Sequence, residues 1–479
     1  MSTITKQILH GAKWTSASTI IITFIQIAQF VLLGHIMTIA EFGLVGMLTT
    51  VTIFTQIVLD MGFGAALIQK EKINERQLST LYWLNIITGV LLFICIFFLS
   101  PVIADFYQRD ELVTLIRILA IMFLVAPIGQ QYQYMLQKDL KFQVLSKIET
   151  GANVSSFIML IGLIFLIDPI VAYVLSQVFL NSFKGILFFA VYFKKWRPSF
   201  VFALREVKDF FAFGAFQLAS RLVNRVGANM DMILIGRFLG AEALGIYSLA
   251  YQIITIPVLK INPIITRVAF PVFSKNQRDN KTLREGFLNV TKLLALVSFP
   301  LLIGLPTVSD LFIKVMFSEK WLAAIPILNI LAIVGLLRVL MNPNGSILLA
   351  KGRADLAFYW DSGVMIFYGL LLYAAVLTKD LAVFAWTYAA VSLLNFFIGR
   401  WLLQFVIQLK LKDYFRTIMK PFILTVMMAC LSLILNVFSR QLTTESWLQL
   451  TISVGISAVF YGFLISKVYQ KALKVRYRN

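Results

Sequence analysis

The chain has 479 residues, of which 59% are hydrophobic and 14% charged, and its formal net charge is +20. A soluble protein of this size needs more polar surface, so the composition excludes a soluble enzyme and a soluble nucleic-acid-binding domain. The sequence contains two cysteines and two histidines, which argues against a disulfide framework and against a conventional metal site.

Apolar segments of about 20 residues, the length that crosses roughly 30 Å of hydrocarbon, predict an all-α polytopic membrane protein rather than a β-barrel. We predict fourteen transmembrane segments, at 14–33, 43–60, 80–100, 112–132, 149–167, 169–192, 210–231, 245–269, 287–309, 322–343, 358–378, 380–402, 418–438 and 447–466. Two pairs are divided by almost no loop, at Asp168–Pro169 and at Lys379–Asp380. Lys and Arg concentrate in alternate loops, which predicts that both termini are on the cytoplasmic side of the membrane.

The second half of the sequence repeats part of the first. With an offset of 202 residues, the stretch Gly34–Gly43 aligns with Gly236–Gly245. In the preceding span, neutral polar residues of the first copy correspond to charged residues of the second: Thr19 to Arg221, Thr23 to Arg225 and Gln29 to Asp231. The repeat predicts two homologous membrane halves, with much of the positive charge supplied by the second half.

This organisation predicts two lobes of six spans each, followed by two additional spans. The predicted divisions are an N-terminal lobe at 1–192, a cytoplasmic linker at 193–209, a C-terminal lobe at 210–405, and two further spans with a basic cytoplasmic tail at 406–479. Proline and charged residues mark the segment 193–209 as a linker rather than a span. The loops are too short to contain an inserted soluble domain.

Nine basic residues fall within the predicted spans. Each charge at the centre of a bilayer costs on the order of 3 kcal/mol, so it needs water, a counter-ion or a ligand. Five lie near a predicted helix end, where a long side chain can reach the interface: Arg117, Lys184, Arg267, Lys292 and Arg400. Four cannot be explained so simply and are candidate substrate-binding residues: Arg221, Arg225, Lys260 and Arg338.

Polar residues accompany these cations. Arg221 and Arg225 are one helical turn apart, so they share a helix face, with Asn224 beside them. Gln252 belongs to a similar polar stripe on the following span. We expect the polar faces of the two halves to line a central aqueous cavity, although such faces can also serve as hydrogen-bonding contacts between helices.

Breaks in helical hydrogen bonding are expected at Pro257 and Pro263 in the eighth span and at Asn342–Gly345 after the tenth, as hinges or as purely structural kinks. The positive charge of the expected cavity favours an anionic group such as a phosphate or diphosphate, because Arg presents a fork of donors to such oxygens. Two carboxylates near helix ends, Asp60 and Asp231, are candidates for ion coupling or gating.

A series of short motifs resembles the polysaccharide flippases of the Wzx type in the MOP superfamily, within the subfamily of colanic acid and teichuronic acid exporters. In the first half these motifs are Glu41-Phe-Gly-Leu, Asp60-Met-Gly62-Phe-Gly-Ala and Leu136-Gln-Lys-Asp-Leu-Lys-Phe142. In the second half they are Met230-Asp231, Gly236-Arg-Phe-Leu-Gly240, Gly245-Ile-Tyr247 and Leu349-Ala-Lys-Gly352-Arg353. Together, in this order, they cover nearly the whole chain.

The resemblance implies a MATE-like fold of two six-helix lobes in a V shape, alternating access, and a last pair of helices outside that core. It implies a substrate in which a polyprenyl diphosphate carries an oligosaccharide, moved from the inner to the outer leaflet. It also implies a proton or sodium gradient as a possible energy source, with no other cofactor. A glycan polymerase and glycosyltransferases are the protein partners that such a role suggests.

Two other functions fit a polytopic membrane protein. A cation-coupled multidrug antiporter would need buried carboxylates for cationic drugs, and the sign of the buried charge disfavours it. A membrane polymerase or ligase would need an outward-facing acid or base, and the outer acidic group is Asp105, Asp110 and Glu111, without a histidine. The sequence has no phosphate-cradling Gly-rich loop, so we expect a secondary transporter rather than an ATPase or another enzyme.

Overall fold

A computed structural model describes residues 3–61, 64, 67–68, 70, 73–275 and 277–476. Side chains are described for most of these residues, but not for 3–10, 209, 211–213, 215–216, 256–272, 354 and 469–476. The α-helices are α1 Thr3–Ile36, α2 Ile39–Asp60, α3 Glu75–Tyr107, α4 Glu111–Ala120, α5 Met122–Lys138, α6 Phe142–Ile164, α7 Pro169–Tyr192, α8 Lys208–Phe238, α9 Gly240–Lys275, α10 Asn280–Gly304, α11 Ser309–Phe317, α12 Ile325–Met341, α13 Pro343–Ala350, α14 Ala354–Val376, α15 Leu381–Ile407, α16 Leu411–Leu442 and α17 Ser446–Arg476. Short 3₁₀ turns lie at Leu204–Val207, Leu305–Val308 and Glu319–Ala324.

All fourteen predicted segments lie on helices. Within the described residues, twelve stretches are long and apolar enough to cross a membrane. The predicted seventh and eighth segments correspond to α8 and α9, which have 31 and 36 residues and are not among those twelve. The all-α polytopic prediction is therefore confirmed.

The two divisions without a predicted loop are real helix boundaries. Asp168 Oδ1 accepts a hydrogen bond of 3.0 Å from the amide of Ile170 and so caps α7, which begins at Pro169. Asp380 Oδ1 accepts one of 2.7 Å from the amide of Ala382 and caps α15. An aspartate at this position satisfies an amide that the first helical turn leaves without a partner, so it begins a new helix even where the chain hardly leaves the membrane.

The expected backbone breaks have different outcomes. The helix is interrupted at Asn342, where α12 ends at Met341 and α13 begins at Pro343. In contrast, the backbone of α9 is helical throughout Gly240–Lys275, including Pro257 and Pro263. Each proline still lacks an amide donor, so the expected loss of a helical hydrogen bond stands, but the helix itself is not divided there.

The chain divides into two compact units, Met1–Leu244 and Gly245–Asn479. In the first unit α7 packs against α5 and α6, α6 packs against α1, α3 packs against α4 and α5, and α8 packs against α2. The crossing of α5 and α7 is closest at two glycines, because a Cβ built on Gly129 would lie 2.0 Å from the carbonyl oxygen of Gly185. Only residues without a side chain allow the two backbones to approach so closely.

The segment between α7 and α8 is fixed to the N-terminal end of α3. Ser199 accepts a hydrogen bond of 3.0 Å from the indole of Trp83 through its carbonyl oxygen, and its amide donates to Ser79 Oγ at 3.0 Å. The carbonyl oxygen of Glu206 accepts a hydrogen bond of 2.9 Å from Gln77 Nε2. These contacts position the start of α8 within the first unit. The predicted domain limits, which assign α8 to a C-terminal lobe by homology, stay a prediction.

In the second unit α12 packs against α10 and α15, and α16 packs against α10 and α17. Its core contains aromatic residues from three helices, with Phe287, Phe299, Phe396 and Tyr414 all buried. Many large apolar side chains of both units are instead exposed, among them Phe24, Phe98, Trp401 and Phe405. Such surfaces are expected where helices face hydrocarbon rather than water.

Candidate functional site

Arg221 lies in the middle of α8 and forms an ion pair with Asp60. Its Nη1 donates a hydrogen bond to Asp60 Oδ2, and the side chains of Arg221 and Asp60 are 42% and 15% exposed. Asp60 is the last residue of α2, which packs against α8. The structure thus brings together one predicted cationic site residue and one predicted gating residue. Arg221 is partly exposed, and in this state Asp60 occupies its Nη1.

Two residues of α5 hold the carboxylate from behind. The hydroxyl of Tyr134 donates a hydrogen bond to Asp60 Oδ1, and Gln130 Nε2 donates one of 2.9 Å to the hydroxyl of Tyr134. Asp60 therefore accepts hydrogen bonds on both carboxylate oxygens. This second interaction orients the carboxylate toward α8 even if Arg221 moves away.

Arg225 and Asn224 are exposed on the adjacent turn of α8. Asn224 Nδ2 donates a hydrogen bond of 2.9 Å to the carbonyl oxygen of Ser220 in its own helix. No described carboxylate lies within ion-pair distance of Arg225, in contrast to Arg221. The two arginines of one helix face therefore differ: one is held by a counter-ion and the other is uncovered.

A cavity of about 280 Å³ adjoins Asp60 inside the first unit. Its walls come from α2, α5, α6 and α7, with Phe123 and Phe188 among the apolar residues. Its polar lining residues are Gln56, Asp60, Gln130, Gln133, Tyr134, Glu149, Asn181 and Lys184. Lys184 and Glu149 both line this space, and Gln133 Nε2 donates a hydrogen bond of 3.4 Å to Glu149 Oε1. We call this space the amide cavity, after its four amide side chains.

Asp231, the other candidate gating residue, is not part of this group. It lies near the end of α8, where the residue is 3% exposed and its Oδ1 accepts a hydrogen bond of 2.9 Å from the amide of Met232. Farther along the same helix, Arg237 Nη1 donates a hydrogen bond of 2.7 Å to the carbonyl oxygen of Phe106. The burial of Asp231 favours a local structural role over direct contact with a transported ligand.

In the second unit, Arg338 of α12 is bound by two tyrosines. Its Nη1 donates a hydrogen bond of 2.8 Å to the hydroxyl of Tyr251, and its Nη2 donates one to the hydroxyl of Tyr388. The guanidinium also lies 5.3 Å from the ring centroid of Tyr251, a distance at which cations attract aromatic faces. Gln252 is half-buried next to Tyr251 in α9. The side chains of Lys260 and Arg267, also in α9, lie outside the described residues.

Arg400 does not reach the interface as the sequence led us to expect. The residue is 2% exposed, and its guanidinium lies 4.4 Å from the ring centroid of Tyr414, with Phe287 and Phe396 also close to it. Its Nη2 donates a hydrogen bond to Asn344 Oδ1 at the start of α13. The expectation is wrong because three aromatic rings, from α10, α15 and α16, enclose the charge.

Charged groups outside the membrane-spanning helices also cluster. Contact with the Lys195 side chain lowers the pKa of Lys141 below its ordinary value. The ammonium groups of Lys195 and Lys141 lie 5.4 and 5.7 Å from the ring centroid of Tyr192. This basic group lies in loops for which the distribution of Lys and Arg predicts a cytoplasmic location.

The sequence analysis missed Tyr134 and Gln133 because it ended the fourth span at residue 132, whereas α5 continues to Lys138. It also assigned Lys184 to the interface, whereas this residue lines the cavity. A usable signal was present in the run Gln130-Gln-Tyr-Gln-Tyr134, since three glutamines in an otherwise apolar helix are costly unless they face polar partners.

The profile of a protein family described as "Polysaccharide biosynthesis protein" matches residues 32–326. The chain is 67% identical over 469 residues to the teichuronic acid biosynthesis protein TuaB of Bacillus subtilis strain 168, covering 98% of this chain and 97% of that protein. It is 35% identical to the lipopolysaccharide biosynthesis protein WzxC of Escherichia coli strain K12, covering 74% of this chain and 72% of that protein.

Two solved structures are similar in fold. The lipid II flippase MurJ, in an inward closed conformation, matches with a TM-score of 0.77 at 14% identity, covering 96% of this chain and 99% of that chain. A multidrug resistance MATE transporter of the MOP superfamily, in an inward-facing conformation, matches with a TM-score of 0.62 at 13% identity, covering 80% of this chain and 95% of that chain. At these identities the similarity concerns the fold, and it confirms the predicted MATE-like architecture.

Proposed function

The chain belongs to the polysaccharide biosynthesis protein family, and from this we propose that it is a flippase for an anionic polyprenyl-diphosphate-linked oligosaccharide. It is a multi-span membrane transporter of polysaccharide biosynthesis and not an enzyme. The cargo is a precursor of a cell-surface polysaccharide, moved from the inner to the outer leaflet of the bacterial cytoplasmic membrane. Both termini lie in the cytoplasm, because the basic loops lie on that side.

The observation that carries the proposal is the uncovered arginine on α8. Arg225 is exposed in the middle of a 31-residue helix, one turn from Arg221. A guanidinium facing hydrocarbon at the centre of a span costs on the order of 3 kcal/mol, so this helix face needs water, a counter-ion or a ligand in the working protein, and we take that ligand to be anionic. Two guanidinium forks one turn apart suit a diphosphate, which offers several oxygens to donors at that spacing.

Asp60 acts as a gate on the same site. In the described state it occupies Arg221, so an incoming diphosphate has to displace the carboxylate before both arginines can bind. Tyr134 retains a hydrogen bond to the displaced carboxylate. Release of the ligand in the outer leaflet is then assisted by the return of Asp60 to Arg221. The carboxylate thereby prevents the site from binding the diphosphate too tightly for turnover.

The second unit supplies further cations during alternating access. Arg338 is held by Tyr251 and Tyr388 and is half-buried, which suits a contact with the ligand that forms in one conformation only. Lys260 and Gln252 are the remaining candidates there. The energy for the cycle comes from an ion gradient, from a substrate gradient or from a partner, and the glycosyltransferases and polymerase that make and use the cargo are its proposed partners.

A complementation experiment tests the proposal. In a bacterial strain lacking the native gene, Arg225→Ala should reduce surface polysaccharide at least tenfold, since one charge-assisted hydrogen bond contributes about 1.5–3 kcal/mol. Arg225→Lys should be partly active because it retains the charge without the fork. Arg205→Ala, in the exposed segment before α8, is the matched control and should produce normal polymer. Normal polymer from Arg225→Ala at equal protein level would contradict the proposal.

A further inference from the structure

The amide cavity is not explained by the arginines of α8. It lies behind Asp60, and its walls carry one further residue of each sign, Glu149 and Lys184. Asp60 is already paired with Arg221. A charged ligand would therefore meet both signs in this space and gain little net attraction, and it would have to compete with the Asp60–Arg221 pair.

Its remaining polar groups favour a ligand with hydroxyl groups. Each amide of the wall has two N–H donors and one acceptor oxygen, and a hydroxyl group is likewise donor and acceptor. Gln130, Gln133 and Asn181 each use one donor within the protein, the last toward the carbonyl oxygen of Gln177, so each keeps a second N–H. Gln130 Oε1 is buried and accepts no hydrogen bond from any residue that the structure describes. Such an acceptor is costly unless a water or a ligand donates to it, so this wall has unused hydrogen-bonding capacity.

The size and shape of the amide cavity further restrict which ligands it can bind. A volume of about 280 Å³ is at the small end of pockets for small molecules, which hold about 300–1,000 Å³. It suits one sugar ring rather than an oligosaccharide. Leu59, Phe123 and Phe188 provide an apolar wall against which the C–H face of a sugar ring can pack. A metal ion fits less well, since the described residues contain no group of three or more His, Cys, Asp or Glu side chains that could hold one.

We infer that the amide cavity binds one uncharged sugar ring of the transported glycan, beside the arginine site for the diphosphate. This inference rests on the proposed function. The substrate would then be recognised at two sites in the first unit. Arg221 and Arg225 bind the diphosphate that is common to all such lipids, and the amide cavity binds the sugar. The cavity is therefore where selectivity among glycans is determined.

Binding measurements with two lipids test the inference. Purified full-length protein in nanodiscs is titrated with polyprenyl diphosphate and with the same lipid carrying an uncharged hexose on the diphosphate. The variants Asn181→Leu and Gln56→Leu remove cavity amides without touching the network of Asp60, Tyr134 and Arg221. Each should weaken binding of the glycosylated lipid roughly fivefold to tenfold and leave binding of the bare diphosphate unchanged, which also shows that the variant is folded.

Arg225→Ala provides the contrasting result, because it should weaken binding of both lipids equally. If the cavity variants bind both lipids like the wild type, or lose both equally, the sugar site is refuted while the flippase proposal stands. If the wild-type protein binds neither lipid, the proposed function fails and the sugar site fails with it. Tighter binding of the glycosylated lipid than of the bare lipid by the wild type, abolished by Asn181→Leu, would support the inference.

Discussion

Replacement of Asp60 by asparagine should make the protein bind polyprenyl diphosphate more tightly while it transports more slowly. In the structure the carboxylate accepts hydrogen bonds from Arg221 and from Tyr134. The Asp60→Asn variant would keep the size of the side chain and one acceptor oxygen, but it would lose the charge. The diphosphate has to displace the side chain at position 60 from Arg221. Because the neutral asparagine binds Arg221 more weakly than the aspartate does, the affinity for the diphosphate should rise.

The size of the effect follows from the exposure of the pair. Hydrogen bonds to charged groups contribute about 1.5–3 kcal/mol, whereas fully exposed ion pairs contribute about 0–1 kcal/mol. Arg221 is 42% exposed and Asp60 15%, so the pair lies between these limits. A loss of about 1.4 kcal/mol of competition corresponds to a tenfold gain in affinity. The ligand-free variant should also be less stable, because Arg221 loses its counter-ion.

The assay combines two measurements on the purified protein in nanodiscs. Titration with polyprenyl diphosphate gives the affinity, and thermal unfolding with and without this lipid gives the stability. Asp60→Asn should show a lower melting temperature without lipid and a larger rise with it. Tyr134→Phe is the control, because it removes one hydrogen bond to the same carboxylate but keeps the charge, and it should change the affinity less than about threefold. If Asp60→Asn binds the lipid as tightly as the wild-type protein or more weakly, at equal protein level, then Asp60 does not compete with the diphosphate for Arg221.

Two further predictions concern stability. Gly129→Ala should lower the free energy of unfolding by about 2–3 kcal/mol, because the new Cβ meets the Gly185 backbone. The control Gly151→Ala should be neutral or slightly stabilising, because its Cβ would have no neighbouring atom within 4 Å. Thermal unfolding of both variants tests this prediction, and equal stability of the two would contradict it. Hydrogen bonds from the Thr282 side chain and the Lys281 amide lower the pKa of Asp279, so its cap protects the start of α10 above pH about 4 and is lost as the pH falls through that lowered pKa. Amide exchange there should be faster in Asp279→Ala at pH 7 but equal to wild type in strong acid, and a difference that persists in acid would count against the cap.

Most of the fold could be predicted from the sequence, because hydrophobic length and capping residues act locally. The boundaries at Asp168 and Asp380 were visible as aspartates that begin helices, and the interruption at Asn342 as the residue before a proline that suits the first position of a new helix. The continuous backbone of α9 through Pro257 and Pro263 was not visible, since the sequence does not show how a long helix tolerates the missing amide donors.

The site was predictable only in part. Depth and spacing identified Arg221, Arg225 and Arg338 as cations that need an explanation, and their role stays a prediction. The ion pair of Arg221 joins residues 161 positions apart, so no local pattern could reveal it. The enclosure of Arg400 by aromatic rings of other helices was hidden for the same reason. In a membrane protein, the partner of a buried charge is a tertiary property.

The central claim is that the uncovered guanidinium on α8 receives the diphosphate while the lipid crosses the membrane. The most direct measurement is the rate at which purified protein in liposomes moves a fluorescent polyprenyl-diphosphate-linked oligosaccharide between leaflets. Wild-type protein should accelerate the exchange, Arg225→Lys should retain part of the rate, and Arg225→Ala should fall at least tenfold toward the rate of empty liposomes. Exchange by Arg225→Ala at the wild-type rate would contradict the account.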